Sequence, residues 1–231
     1  METIVTNSPS TSIYDSVVLT TGKTMGFFDG KIDKETIFIQ ADNYDCGTES
    51  IKKGESIAEV TIKTELSQAG NYSREFNSRL NTIYIKQDGI IKDCFASQGI
   101  NVVAEKMTFT TSQDVEIKLK SKIHSKSLND ESVLAFAGRI SKNMAIGVGL
   151  CVNTNGIVES KKDKIFIKNA TFVEVFVKLV AGFNPLNQEL ESDVNVMLDK
   201  TRKQIYLLES ELYDIVKMKH LMDIDKQSLG E

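Results

Sequence analysis

The chain has 231 residues, 41% of them hydrophobic, and carries 28 Lys and Arg against 32 Asp and Glu for a net charge of −4. That much apolar material can bury one large core, while dispersed cations with no basic block leave no footprint for a nucleic-acid backbone. The three cysteines, Cys46, Cys94 and Cys151, lack C-x-x-C spacing, which speaks against a disulfide scaffold or a thiolate zinc site and leaves them as small apolar fillers.

The first 20 residues have neither a basic start nor an apolar run, so neither a signal peptide nor a membrane span is expected, and the cytoplasm is the default compartment. Beyond them apolar residues recur at a spacing of two, the pattern of half-buried strands. Val60-Thr61-Ile62-Lys63-Thr64, Thr82-Ile83-Tyr84-Ile85-Lys86 and Val115-Glu116-Ile117-Lys118-Leu119-Lys120 all alternate. So does the run from Val173 to Val180, which points Glu174 and Lys178 away from Val173, Val175, Val177 and Leu179. Such strands are expected to bury one face and wet the other. Gln87-Asp88-Gly89 and Asn153-Thr154-Asn155-Gly156 contain Asp-Gly and Asn-Gly pairs, which tolerate positive φ and predict hairpins. Long alternating strands without intervening amphipathic helices exclude a βαβ arrangement. What remains is a mainly β fold, a large antiparallel sandwich or barrel over residues 1–183, followed by a C-terminal helical segment over 184–231.

The period changes at Asn184-Pro185, a good N-cap followed by a residue suited to the first helical position. Leu190, Val194, Met197, Thr201, Ile205, Leu208, Leu212 and Ile215 then recur at steps of three and four, predicting one amphipathic helix or two broken near Ser210. A stripe of this length must lie on the sandwich, on a second copy of the chain or on a domain outside this sequence, and the first is favoured because packing on the chain's own sandwich loses no association entropy.

The strand motifs occur in a recognisable order. Thr21-Gly22-Lys23-Thr24-Met25-Gly26 comes first, then Glu35-Thr36-Ile37-Phe38-Ile39-Gln40 running on to Gly47. Asn71-Tyr72-Ser73-Arg74-Glu75-Phe76, Asp93-Cys94-Phe95-Ala96-Ser97, and Lys164 through Ala170 follow, with Gly138, Gly149 and Gly156 between the last two. In order and spacing this series resembles the N-terminal β-sandwich domain of family 95 glycoside hydrolases, the α-L-fucosidases, and the resemblance implies that the body is a large antiparallel β-sandwich (a supersandwich) and the tail a helical linker. The likeness covers nearly the whole chain but lies at apolar and glycine positions. Polar and aromatic motif positions differ: Gln40, Ala41, Asn43, Asp45 and Cys46 stand where the family has Asn, Glu, Thr, Trp and Ser, and Asp93-Cys94 where it has Arg-Glu. The tail looks like the family's linker helices, with Tyr213 matching a Tyr, Glu209 in place of a His and Lys219 in place of an Arg. The resemblance implies inverting fucoside hydrolysis by a general acid and a base-activated water. It places both groups in an (α/α)6 barrel beyond residue 231, so no catalytic residue carries over to this chain.

The residues themselves nominate little chemistry. His124 and His220 are too few and too isolated for a metal site, His124 reading as a loop residue, and no cofactor is expected. Acidic pairs at Asp42 with Asp45 and at Asp130-Glu131 read as solvated surface. No Gly-x-Ser-x-Gly occurs, and Gly147-Val148-Gly149 lacks the third glycine and following helix of a phosphate loop. Without Trp, a pyranose could stack only on Tyr14, Tyr44, Tyr72 or Tyr84 in the sandwich. The candidate carbohydrate contacts are Tyr44, Asp42, Asn43 and Tyr72. The expected role is a non-catalytic accessory domain that shapes an active site carried by a helical barrel. The alternative is a free-standing carbohydrate- or protein-binding sandwich module. The partners to match are a carbohydrate ligand and an (α/α)6 domain or a second copy of the chain, with no nucleic acid and no membrane.

Overall fold

The structure is a computed structural model that describes residues 17–20, 24–31, 34–41, 56–65, 73–87, 89–97, 99–123, 126–141, 144–181 and 193–229. Among them run thirteen strands, every pairing antiparallel. They are β1 (Val17–Thr20), β2 (Thr24–Lys31), β3 (Lys34–Ala41), β4 (Ser56–Thr64), β5 (Ser73–Asn77), β6 (Thr82–Gln87), β7 (Ile90–Ser97), β8 (Val102–Ser121), β9 (Lys126–Asp130), β10 (Val133–Ser141), β11 (Met144–Thr154), β12 (Ile157–Lys161) and β13 (Lys164–Ala181). The alternating runs read from the sequence lie in β4, β6, β8 and β13.

Two long strands fold this continuous ladder into two sheets. β8 and β13 pair along both halves, 103–108 with 177–172 and 115–118 with 167–164, and the register slips between Ile167 and Phe172. The C-terminal half of β8 and the N-terminal half of β13 belong to a first sheet, in the order β1-β2-β3-β4-β8-β13-β12. Their other halves belong to a second, in the order β5-β6-β7-β8-β13-β11-β10-β9. At the bend Asn169 takes a left-handed backbone (φ 57°), and its N–H donates to Asp114 Oδ1 at 2.9 Å. Asn155 braces the same corner: its Oδ1 accepts from the Thr171 N–H at 3.0 Å and its Nδ2 donates to Thr171 Oγ1 at 2.7 Å.

Asn155-Gly156 therefore closes no hairpin, contrary to the sequence expectation. β11 pairs with one half of β13 and β12 with the other, so Asn155-Gly156 is where the chain crosses from the second sheet to the first. Gly156 is needed for space: a Cβ there would lie 2.7 Å from both the Lys168 carbonyl oxygen and Ile167 Cγ2. The hairpin comes six residues later, between β12 and β13, where Lys162 holds φ 57°. The other expected hairpin, joining β6 and β7, is present, with Gly89 at φ 88°.

Between the sheets lies one buried cluster that includes Ile37, Ile39, Val60 and Ile62 of the first sheet and Ile83, Val148, Leu150 and Val175 of the second. Burying apolar area on this scale is the main force holding the layers together. The opposite face of the second sheet is also dry. Val133, Cys151, Phe176, Ala104 and Phe95 form a row of cross-strand neighbours that meets Ile205, Leu208, Tyr213 and Val216 of two helices, α1 (Val194–Glu209) and α2 (Tyr213–Leu229). The wet outer face expected from the alternation is thus covered here by helix, giving three layers.

The helices follow the sequence in one half and depart from it in the other. Asp193 caps α1, accepting from Asn195 N–H at 2.6 Å and Val196 N–H at 3.4 Å; the start read at Asn184-Pro185 lies outside the described residues. The expected stripe of Met197, Thr201, Ile205 and Leu208 is buried on the sheet. It approaches closely because Gly147 and Gly149 of β11 carry no side chain: a Cβ would stand 1.9 Å from Thr201 Oγ1 at the first and 2.4 Å from Ile205 Cγ1 at the second. The Gly-Val-Gly that fails as a phosphate loop is a helix track. The predicted break near Ser210 is present, but it rotates the second helix. Leu212 and Ile215 face solvent at 58% and 42% exposure, and Tyr213, Val216 and His220 are buried instead.

Candidate functional site

The sequence-nominated carbohydrate contacts, Tyr44, Asp42, Asn43 and Tyr72, lie outside the described residues, as do Tyr14, Asp45 and His124. Tyr84 is on the outward side of β6 and partly exposed. Asp130 does not pair with Glu131; it accepts a hydrogen bond from the Tyr206 hydroxyl of α1 and helps to dock that helix. Among the described residues no group of three His, Cys, Asp or Glu side chains is placed to hold a metal ion.

A polar row crosses four strands of the second sheet, beside the apolar row under the helices: Asn153 of β11, Glu174 of β13, Lys106 of β8 and Asp93 of β7 are successive cross-strand neighbours. The first turns of α2 sit on it. Lys106 Nζ reaches Glu174 Oε1 and Asp214 Oδ2, each at 3.1 Å, and stands 5.4 Å from the centroid of the Tyr213 ring. Asn153 Nδ2 donates to Glu174 Oε2 at 3.0 Å, and the Tyr213 N–H donates to the same oxygen at 3.4 Å. Glu174 therefore satisfies an orphan donor at the N-terminus of α2, where negative charge is favoured. The Tyr213 hydroxyl donates to the Asp93 carbonyl oxygen at 2.5 Å, and Lys217 pairs with the Asp93 carboxylate. Burial works to lower the Lys106 pKa, but hydrogen bonds to Asp214 and Glu174 and their charges outweigh it and hold the ammonium above its ordinary value. Burial raises the Tyr213 phenol well above its usual range.

A second constellation lies inside the sandwich. Lys92 of β7 and Glu105 of β8 form an ion pair at 3.2 Å with 1% and 0% of their side chains exposed. Arg74, Ile85 and Lys92 are successive neighbours across β5, β6 and β7, which brings Arg74 into the same inward-facing row. Buried Gln87 follows Ile83 and Ile85 at the two-residue spacing of that face of β6.

A third feature is an open cleft of about 360 Å3 at the sandwich edge, floored by Leu119, Leu134 and Phe136 and rimmed by Lys120, Lys162 and Asp163. The two sheets close beside it, where Asn129 Nδ2 of β9 donates to the Lys162 carbonyl oxygen at 2.6 Å. Asp163 on the rim pairs with Lys118 at 3.3 Å.

What the polar row does chemically is anchor a helix. Its carboxylates are engaged by lysines of the sheet and of α2. Sequence reasoning missed Glu174, Lys106 and Asp214 as members of one assembly because they are up to 108 positions apart in the chain, from Lys106 to Asp214. One signal was available: Tyr213, Val216 and His220 share a helical face at steps of three and four.

Neither a family model nor a curated protein matches the chain. Twenty-four solved chains match by structure. One, described as a kojibiose phosphorylase from human microbiome, superposes with a TM-score of 0.45 at 10% identity, over 96% of this chain and 34% of that one. The chain thus spans about a third of that structure's length. Similarity this low assigns neither an activity nor a substrate.

Proposed function

We propose that the chain is a non-catalytic sandwich domain of a fucosidase-like glycoside hydrolase, supporting a carbohydrate active site carried by a helical domain. One observation carries the reading. Among the described residues, several positions at which the chain resembles the family 95 sandwich are ones where packing leaves little room for another side chain. Ile37 and Ile39 are in the inter-sheet core, and Phe95 underlies α2. Gly138, Gly149 and Gly156 each face an atom within 2.7 Å of where a Cβ would be. Among the positions at which the chain departs from the family, Asp93 stands where the family has Arg and binds Lys217 of α2.

The test has two parts. In the genomic reading frame beyond residue 231, a continuous series of amphipathic helices is the expected finding, and a stop codon followed by unrelated sequence would overturn the accessory role. Hydrolysis of an aryl fucoside by the purified chain is expected to equal the buffer blank, and turnover abolished by substituting a carboxylate of this chain would overturn the non-catalytic assignment.

A further inference from the structure

The second helix is attached to the sheet through different chemistry from the first. α1 lies in an apolar glycine track with the Tyr206–Asp130 hydrogen bond beside it, whereas α2 adds ion pairs, one tyrosine and a buried histidine to its buried Val216. His220 is 2% exposed, with its ring stacked on Phe95 at a centroid distance of 5.0 Å and an interplanar angle of 12°. Its Nε2 is 2.8 Å from the Leu80 carbonyl oxygen at the end of the β5–β6 turn. A carbonyl only accepts, so Nε2 carries the hydrogen and the neutral ring has its lone pair on Nδ1. Phe95 fills the space on one face of the ring, and water has little access to solvate a second charge.

Among the described residues, two charges act on the ring, one in each direction. On α2 itself Asp223 favours the protonated ring and Lys217 opposes it. β7 presents Asp93, already bound by Lys217, and β8 presents Lys106, bound to Glu174 and Asp214 near the helix start. The β5–β6 turn offers the Leu80 carbonyl, and the β7–β8 turn packs the Gly99 backbone against Asp223.

We infer that His220 is an acid-sensitive latch: the neutral imidazole packed between Phe95 and Leu80 holds α2 on the sheet, and its protonation releases α2 about the Ser210–Leu212 break while α1 stays docked. Burial holds the imidazole pKa below the ordinary histidine value, against the pull of the Leu80 carbonyl and Asp223. The sign follows. Docked α2 binds fewer protons than released α2, so docking is at full strength above the ordinary histidine pKa of about 6.5 and weakens as pH falls below it. The loss approaches about tenfold in the docking constant per pH unit until the docked ring itself titrates. Ordinary carboxylates titrate near pH 4, well below this window.

The test is hydrogen exchange by mass spectrometry on the full chain at pH 7.4 and pH 5.0, corrected for intrinsic rates, with α1 as internal reference. Protection in α2 should fall relative to α1 at pH 5.0, by a factor that cannot exceed about 30, the limit for the roughly 1.5 pH units below the ordinary histidine value. His220→Gln, which can still donate to Leu80, should remove that difference. Equal α2 protection at both pH values in the wild type, or an unchanged acid response in His220→Gln, would overturn the latch. If the variant loses α2 docking already at pH 7.4, NMR titration of the wild-type imidazole decides: a midpoint below 6.5 with hydrogen on Nε2 supports the latch, and a midpoint at or above 6.5 overturns it.

Discussion

The Lys92 ammonium lies 3.2 Å from the Glu105 carboxylate inside the sandwich, where both side chains are shut off from solvent. Desolvating two charges offsets most of their attraction, so the pair adds little net stability, yet removing one partner strands the other. Lys92→Met should therefore destabilise by about 3–5 kcal/mol. Lys92→Met combined with Glu105→Leu should recover most of the loss. Urea unfolding followed by circular dichroism checks both, and additive effects in the double variant would show that the two charges do not act as a pair.

The glycine track makes a second prediction. Gly149→Ala drives a methyl toward Ile205 Cγ1, and overpacking of this kind costs about 1–3 kcal/mol. Ile205→Ala destabilises alone by about 2–5 kcal/mol through the cavity it leaves. Made together the two should cost less than their sum, because the new methyl enters the vacated space. A thermodynamic cycle from chemical denaturation measures that coupling.

Tyr213 separates the hydrogen-bonded and apolar contributions to α2 docking. Tyr213→Phe removes only the donor to the Asp93 carbonyl and should cost about 1 kcal/mol. Tyr213→Ala also empties the contacts with Phe95 and Phe176 and should cost about 3–5 kcal/mol. Equal losses in the two variants, read from thermal unfolding, would mean that the ring contributes nothing.

Acid should weaken the sandwich through Glu116. The hydrogen bond from Lys164 holds its carboxyl below the ordinary value, burial opposes this, and the charges of Lys164 and Lys63 add to it. A lowered folded-state pKa contributes stability above the unfolded carboxyl value that disappears as pH falls through the folded one. Lys164→Met should therefore flatten the dependence of stability on pH between about 5 and 3. Stability curves at half-unit pH steps test this, and an unchanged slope would remove the pair from the acid response.

Much of the sandwich was legible because alternation is a local property. Ile83 and Ile85 must share a face in any strand, and so must Ile117 and Leu119, since successive side chains point to opposite sides. Gly89 marked a hairpin because positive φ is a demand of the turn itself. The Asn155-Gly156 pair carries the same local signal, yet its role depends on β13, which spans both sheets and pairs on either side of it. The α1 face was legible from its period. The α2 face was missed, because carrying the α1 stripe across a break of three residues assumes a helical phase that the break changes, and only the separate spacing of Tyr213, Val216 and His220 marks it. The nominated contacts Tyr44, Asp42, Asn43 and Tyr72 rest on the sequence reading alone.

By itself the sequence determined that these strands alternate, that the sheets are antiparallel and that an amphipathic helical segment follows, because periods of 2 and 3.6 residues are written in each segment without reference to any other. Only the tertiary structure decided that Glu174, Lys106, Asp93 and Asp214 form one anchor, that Gly147 and Gly149 make room for a helix, and that His220 lies against Phe95. Those relations join residues tens of positions apart through strand register and helix phase, which are settled when the layers pack and shared space has to be filled.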